Sequence, residues 1–184
     1  TAPLYRRLRR RSPSAPLTNI VTSEPGLESH LVVAGGGRHG RRISEVLTQL
    51  GEPHVVVELD QRRFEAMKDA GLPAIYGDAS NSHILEAARV RRARAVLCTT
   101  PEPAVARAIV VTVRELSLDT RIIARADDEE SAASLADAGA NRVVRPDMEA
   151  SLEMLRQSLV QLEVPPPTIH ELMADARGTT NPAR

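Results

Sequence analysis

Three glycines in the stretch HLVVAGGGRHG carry the clearest chemical signal in the chain. Gly35, Gly37 and Gly40 follow the short apolar run Leu31, Val32, Val33 with the spacing G-x-G-x-x-G. An amphipathic pattern (Ile43, Val46, Leu47, Leu50) begins immediately afterwards. A strand, a tight turn and a helix in that order form a cradle for a pyrophosphate. Gly35 permits the turn, Gly37 lets the backbone approach an anion, and Gly40 lets the helix sit close on the strand. The loop residues Gly36, Arg38 and His39 lie beside the same anion, which would face the first N–H groups of the helix. Arg38 and His39 either bind phosphate or face solvent without a role. A second apolar run, from His54, ends in Glu58, Leu59 and Asp60, about twenty residues on, where a carboxylate accepts ribose hydroxyls. Glu58 is the first choice for that contact and Asp60 the second. The alternative is a solvated strand end leading into a helix, and Arg62 and Arg63 complicate any exclusion of a 2′-phosphate.

Further candidates fall at the ends of other apolar runs. Gly77, Asp78 and Ala79 follow Tyr76. Asp78 either contacts a ligand or forms an Asx turn that caps the next helix. Thr99 and Thr100 follow Cys98, and Thr100 ahead of Pro101 reads as a helix N-cap that also borders the crevice. Arg125 either clamps an anion or pairs with Asp127, Asp128 or Glu129. Cys98 sits in an apolar run and reads as a buried hydrophobe rather than a redox switch. No catalytic set emerges, and no metal spacing is found among the five histidines.

These loops require regular scaffolding, and the periodicity supplies it. Strands are expected at Leu31 to Ala34, His54 to Leu59, Ala74 to Tyr76, Ala95 to Cys98, Arg121 to Ala124 and Arg142 to Val144. Helices are expected near 38–50, 61–70 (Phe64 and Met67 facing inward), 82–88, 101–116, 129–138 and 148–162, with a short one at 169–176. Pro165, Pro166 and Pro167 are expected to stop the helix carrying Met148, Leu152, Leu155 and Leu159. Such alternation predicts an α/β fold: a Rossmann-like doubly wound six-stranded parallel sheet of order 3-2-1-4-5-6. Ligand then sits above the carboxyl ends of the strands, at the switch between strands one and four. After strand six about forty residues remain, too few for the substrate domain that a dehydrogenase of this fold needs.

Composition narrows the class. The 184 residues carry 24 basic and 24 acidic side chains, so no global charge draws the chain to nucleic acid. Tyr5, Tyr76 and Phe64 are the only aromatics, which leaves no stacking platform for single strands. A single cysteine fits a reducing compartment. No apolar run reaches the roughly 18–20 residues that cross a bilayer. The chain opens without an initiator Met, as expected of an excised or processed piece. Its first stretch, PLYRRLRRR, fits either the cytoplasmic flank of a membrane helix or a basic tail. Residues 1–28 read as a basic, Pro-rich linker with a short helix or strand near Leu17 to Val21, 29–163 as the folded domain, and 164–184 as a tail.

VVAGGGRHG, VVVELDQRR, IYGDAS, AVLCTT, IIARADD and ADAGANRVVRPDMEASL occur in an order that resembles the RCK N-terminal lobe, also called the KTN or TrkA-N domain. The similarity covers about residues 30–162 and is nearest to the cytoplasmic domains of Kef-type monovalent cation/proton antiporters. It implies a Rossmann-like homodimer that binds an adenine nucleotide, NAD(H) or AMP, ADP or ATP. It implies regulation of an attached transport pathway in an inner or plasma membrane, through a membrane transporter domain of the same polypeptide. By resemblance, Gly35, Gly37 and Gly40 match the glycine motif, and Glu58 the ribose acid that is usually Asp. Asp78 matches the acid after strand three, Thr99 and Thr100 the loop after strand four, and Arg125 an arginine near an anionic effector, sometimes glutathione. The first stretch then reads as the exit from a membrane helix. The alternatives are a soluble NAD-dependent oxidoreductase and a detachable RCK subunit of a K+ channel or transporter.

Overall fold

Five valines set the architecture. Val32, Val33, Val55, Val56 and Val57 are each at most 1% exposed. Strands buried on both faces are the mark of a parallel sheet sandwiched between helices. The computed structural model describes residues 27–177. The elements run β1 (Leu31–Ala34), α1 (Arg38–Leu50), β2 (His54–Glu58), α2 (Gln61–Asp69), β3 (Ala74–Tyr76), α3 (Ser82–Ala87), a 3-10 turn (Val90–Arg92), β4 (Ala95–Cys98), α4 (Pro103–Leu116), β5 (Arg121–Arg125), α5 (Glu129–Asp137), β6 (Arg142–Val144), α6 (Pro146–Gln161) and α7 (Pro166–Ala176). The six strands lie in the order β3-β2-β1-β4-β5-β6, all pairs parallel, as the alternation predicts.

The pleat sends successive side chains to opposite faces. Val32, Ala34, Val55 and Val57 meet Leu85, Ile109, Val110, Val113 and Leu135, so α3, α4 and α5 cover one face. Val33 and Val56 meet Met67, Leu72 and Ile43, so α1 and α2 cover the other. Met67 is inward as expected, while Phe64 is half-buried and tilts against the Tyr76 ring at 5.5 Å. Two buried histidines pin the amino ends of the strands. His30 Nε2 bonds the Ala88 carbonyl at 2.8 Å. His54 donates from Nδ1 to the Glu52 carbonyl and accepts from the Ser44 hydroxyl at Nε2, each at 2.8 Å.

Prolines account for most departures from the expected bounds. α4 begins at Pro103, not Pro101, and its N-cap is Glu102 rather than Thr100. Pro103 lacks an N–H and biases the residue before it away from helical geometry, so Glu102 adopts φ −72°, ψ 114° and the helix starts after it. In the same way α6 begins at Pro146 and α7 at Pro166, so the proline run read as a stop is also a start. Asx capping of α3 falls to Asn81, not Asp78. The 3-10 turn was not expected; Val90, fully buried, holds it to the core.

The last helix also differs in its partner. Leu152 of α6 packs with Ile169 and Met173 of α7, together with Leu159 and Val164, in a small cluster of its own. Met148 and Leu155, expected on the same buried stripe, are 38% and 41% exposed. The apolar stripe of α4, by contrast, lies in the main core. The linker and the residues beyond 177 lie outside the described chain. Among the described residues no helix is long and apolar enough to cross a membrane.

Candidate functional site

The glycine loop is built under tight steric constraint. Gly35 has φ +102°, a backbone region that disfavours side chains, and its N–H donates to the Val57 carbonyl at 2.9 Å. A Cβ on Gly40 would lie 1.8 Å from the Gly35 carbonyl oxygen, so only glycine lets α1 start this close to β1. A Cβ on Gly36 would meet Met67 Sδ at 2.6 Å and Glu58 Oε2 at 2.9 Å. Gly37 differs from all three. It is the N-cap of α1 in ordinary extended geometry, and the nearest atom to a Cβ there is Arg63 Nη1 at 3.8 Å. No side chain caps α1, and its first turn carries no acid. The positive end of a 13-residue helix therefore opens toward Gly37, under an arginine.

Glu58 occupies the base of this loop. It is 4% exposed, and its two oxygens accept the Gly36 and Asp60 N–H groups, each at 2.6 Å. The residue read as a sugar acid thus clamps the turn that would receive the phosphate. Asp60 caps α2 by accepting the Arg63 N–H at 2.9 Å, and Leu59 is 58% exposed. Beyond β3, Asp78 Oδ1 accepts both the N–H (2.8 Å) and the hydroxyl (2.7 Å) of Ser80, so the Asx turn forms. Ala79 is in the core rather than in the crevice, and a Cβ on Gly77 would crowd Ile84.

Across the switch point, Thr99 donates from Oγ1 to the Gly35 carbonyl at 2.9 Å, which ties β4 to the glycine turn. Thr100 donates to Glu102 Oε2 at 2.7 Å. That hydroxyl holds the Glu102 carboxyl below the usual carboxylate range, with help from the charges of Arg63 and Arg125. Arg125 pairs with Asp127 through Nε (3.0 Å) and Nη2 (2.8 Å), as one of its two readings anticipated. Its Nη1 also donates to His39 Nδ1 at 3.1 Å. Arg38 is exposed. Cys98 is buried in β4, which pushes its thiol up to about 11 and leaves no reactive thiolate near neutral pH.

Hydrogen bonds thus tie the glycine loop to Glu58 and Thr99, and His39 to Arg125, at the carboxyl ends of β1, β2, β4 and β5. Ala79 is the candidate the structure sets apart. Arg63 and Glu102 join the crevice without having been assigned to it. The signal for Arg63 was its place three residues after the cap Asp60, in the first turn of the helix beside the loop. The signal for Glu102 was its place at the end of the Thr99–Glu102 loop, which follows β4 at the switch point.

A six-stranded sheet of this order, with the glycine turn at its switch point, matches a family model over residues 31–146, described as the TrkA-N domain. The chain belongs to the TrkA-N family. This TrkA-N chain is 33% identical over 138 residues to YbaL of Escherichia coli strain K12, named for cation/proton antiport, covering 75% of the chain and 24% of that protein. A KefB of Alkalimonas amylolytica, named for K(+) efflux antiport, is 29% identical over 164 residues, 85% of the chain and 25% of the relative. The chain thus spans about a quarter of the length of these relatives. Among solved structures, the TrkA-N domain of the E. coli inner membrane protein YbaL superposes with a TM-score of 0.67 at 31% identity, over 71% of this chain and 97% of that one. The GsuK channel bound to NAD superposes with a TM-score of 0.63 at 25% identity, over 82% of this chain and 26% of that one.

Proposed function

We propose that this TrkA-N domain is the nucleotide-sensing regulatory domain of a monovalent cation/proton antiporter, potassium being the cation. An adenine nucleotide lies over the ends of β1 and β4, with its phosphate at Gly37. The observation that carries this reading is the open position at Gly37: it is the one loop glycine whose missing side chain faces no packed atom, at an uncapped helix start and below Arg63. The other loop glycines are explained by packing; Gly37 is explained by a ligand. Glu58, already holding two N–H groups, retains lone pairs for a ribose hydroxyl. The likeness to YbaL and to a channel bound to NAD supports both the ligand class and the setting.

In this account the domain works on the cytoplasmic side of the inner or plasma membrane, as a homodimer joined to the transporter of the same polypeptide. A nucleotide that binds one arrangement of the dimer more tightly shifts the gate by that difference in affinity. No step of bond chemistry is assigned to the crevice. Native mass spectrometry of the purified chain tests the reading. A dimer carrying AMP, ADP, ATP or NAD(H) without turnover is expected. A chain that retains none of them and gains none on titration contradicts it, and consumption of NADH with a small carbonyl compound would favour the oxidoreductase.

A further inference from the structure

The bridge between His39 and Arg125 does something that neither the phosphate cradle nor the sugar acid requires. The two residues are 86 positions apart in sequence, and their side chains meet at 3.1 Å. His39 belongs to the first turn of α1, which follows β1; Arg125 ends β5. In the sheet, β4 lies between those two strands. The bridge therefore passes over the carboxyl end of β4, above Thr99 and Thr100. Arginine has only donors, so in this contact His39 Nδ1 is the acceptor. Asp127 takes Nε and Nη2 of the same guanidinium and fixes its plane. The arginine side chain is only 23% exposed. This is a braced contact rather than two surface chains touching.

Its position matters because of how the two ligand sizes use a doubly wound sheet. The adenosine half of a nucleotide lies over β1, β2 and β3. The second half of a dinucleotide crosses the switch point and lies over β4 and β5. A strut from α1 to β5 leaves the first half-site open and spans the route to the second.

We propose that the His39–Arg125 bridge is a length selector: closed, it admits an adenosine 5′-phosphate and rejects the dinucleotide. The selectivity rests on the nucleotide reading above and refines it. His39 and Arg125 act here as specificity-determining residues, and their contact has to break before NAD fits.

Titration calorimetry of the whole chain with AMP, ADP and NAD separates the possibilities. ADP carries a diphosphate without a second nucleoside, so it distinguishes length from charge. Wild type is expected to bind AMP and ADP more tightly than NAD. In His39→Phe, which fills the same space without an acceptor, the ratio of NAD to AMP affinity should rise about tenfold, the worth of one hydrogen bond of this kind. His39→Gln, whose carbonyl oxygen accepts from Arg125, should restore much of the wild-type ratio. A ratio unmoved in His39→Phe overturns the proposal, as does wild type preferring NAD. Loss of all three ligands in His39→Phe overturns it too, because His39 would then serve binding and not closure. Wild type binding none of the three contradicts the nucleotide function itself.

Discussion

At the scale of single residues, the loop glycines divide by what surrounds them, and substitutions should divide with them. Gly40→Ala drives a methyl group into the Gly35 carbonyl oxygen, which neither helix nor strand can yield without losing the turn. Destabilisation of about 3 kcal/mol is expected in urea denaturation. Glu58→Gln keeps the shape but turns one acceptor oxygen into a donor facing an N–H group, either that of Gly36 or that of Asp60. A loss of about 2 kcal/mol follows from one buried donor left unpaired. Stability equal to wild type in that variant would show that the clamp on the turn is not energetically engaged. The nucleotide affinity of Glu58→Gln should fall as well, because the turn that carries Gly36 and Gly37 loses its anchor.

At the scale of elements, the strands were legible because each is a short β-branched or alanine-rich run closed by glycine, proline or an acid. The five buried valines of β1 and β2 suit the parallel pair, covered on both faces, that the structure shows. What stayed hidden lay between elements. The start of α4 turned on which of two prolines occupies the first helical position, and it is Pro103. The Arg125–His39 contact spans 86 residues and no spacing rule reaches it. Thr99, read as a crevice residue, is also a strut that binds β4 to the glycine turn. His30 belongs to this scale, since it joins the start of β1 to the end of α3. Its Nδ1 has no hydrogen-bond partner among the described residues, and burial lowers its pKa below the ordinary 6.5, with Arg89 adding to the effect. The unfolded chain then takes up a proton before the folded one does. Stability is complete above pH 6.5 and falls as the pH drops below it, until the folded histidine protonates in turn. Urea midpoints between pH 7.5 and 5.5 should therefore decline less in His30→Leu than in wild type. Equal declines would assign the acid sensitivity elsewhere.

At the scale of the whole molecule, two bodies of apolar packing are separate. The sheet and its helices hold the main core, whereas α6 and α7 pack on each other through the cluster of Leu152, Ile169, Met173, Leu159 and Val164 and through an ion pair between Arg177 and Glu149. Removing residues 146–184 should leave the sheet domain folded, with a Tm within about 4 °C of the full chain. Failure of the shortened chain to fold would show that the helical pair completes the core. Met154 and Leu162, on the α6 side, are exposed apolar residues, and we propose that they lie on the homodimer face; the shortened chain should then dimerise less in sedimentation. One paired titration probes the phosphate position at Gly37. Gly37→Val places a side chain where only Arg63 stands nearby, at a backbone geometry valine adopts freely. Calorimetry with AMP should show binding to wild type and none to Gly37→Val, while the variant still unfolds cooperatively within about 5 °C of wild type, the cost of valine at a helix N-cap. AMP binding of equal strength in both would contradict the account.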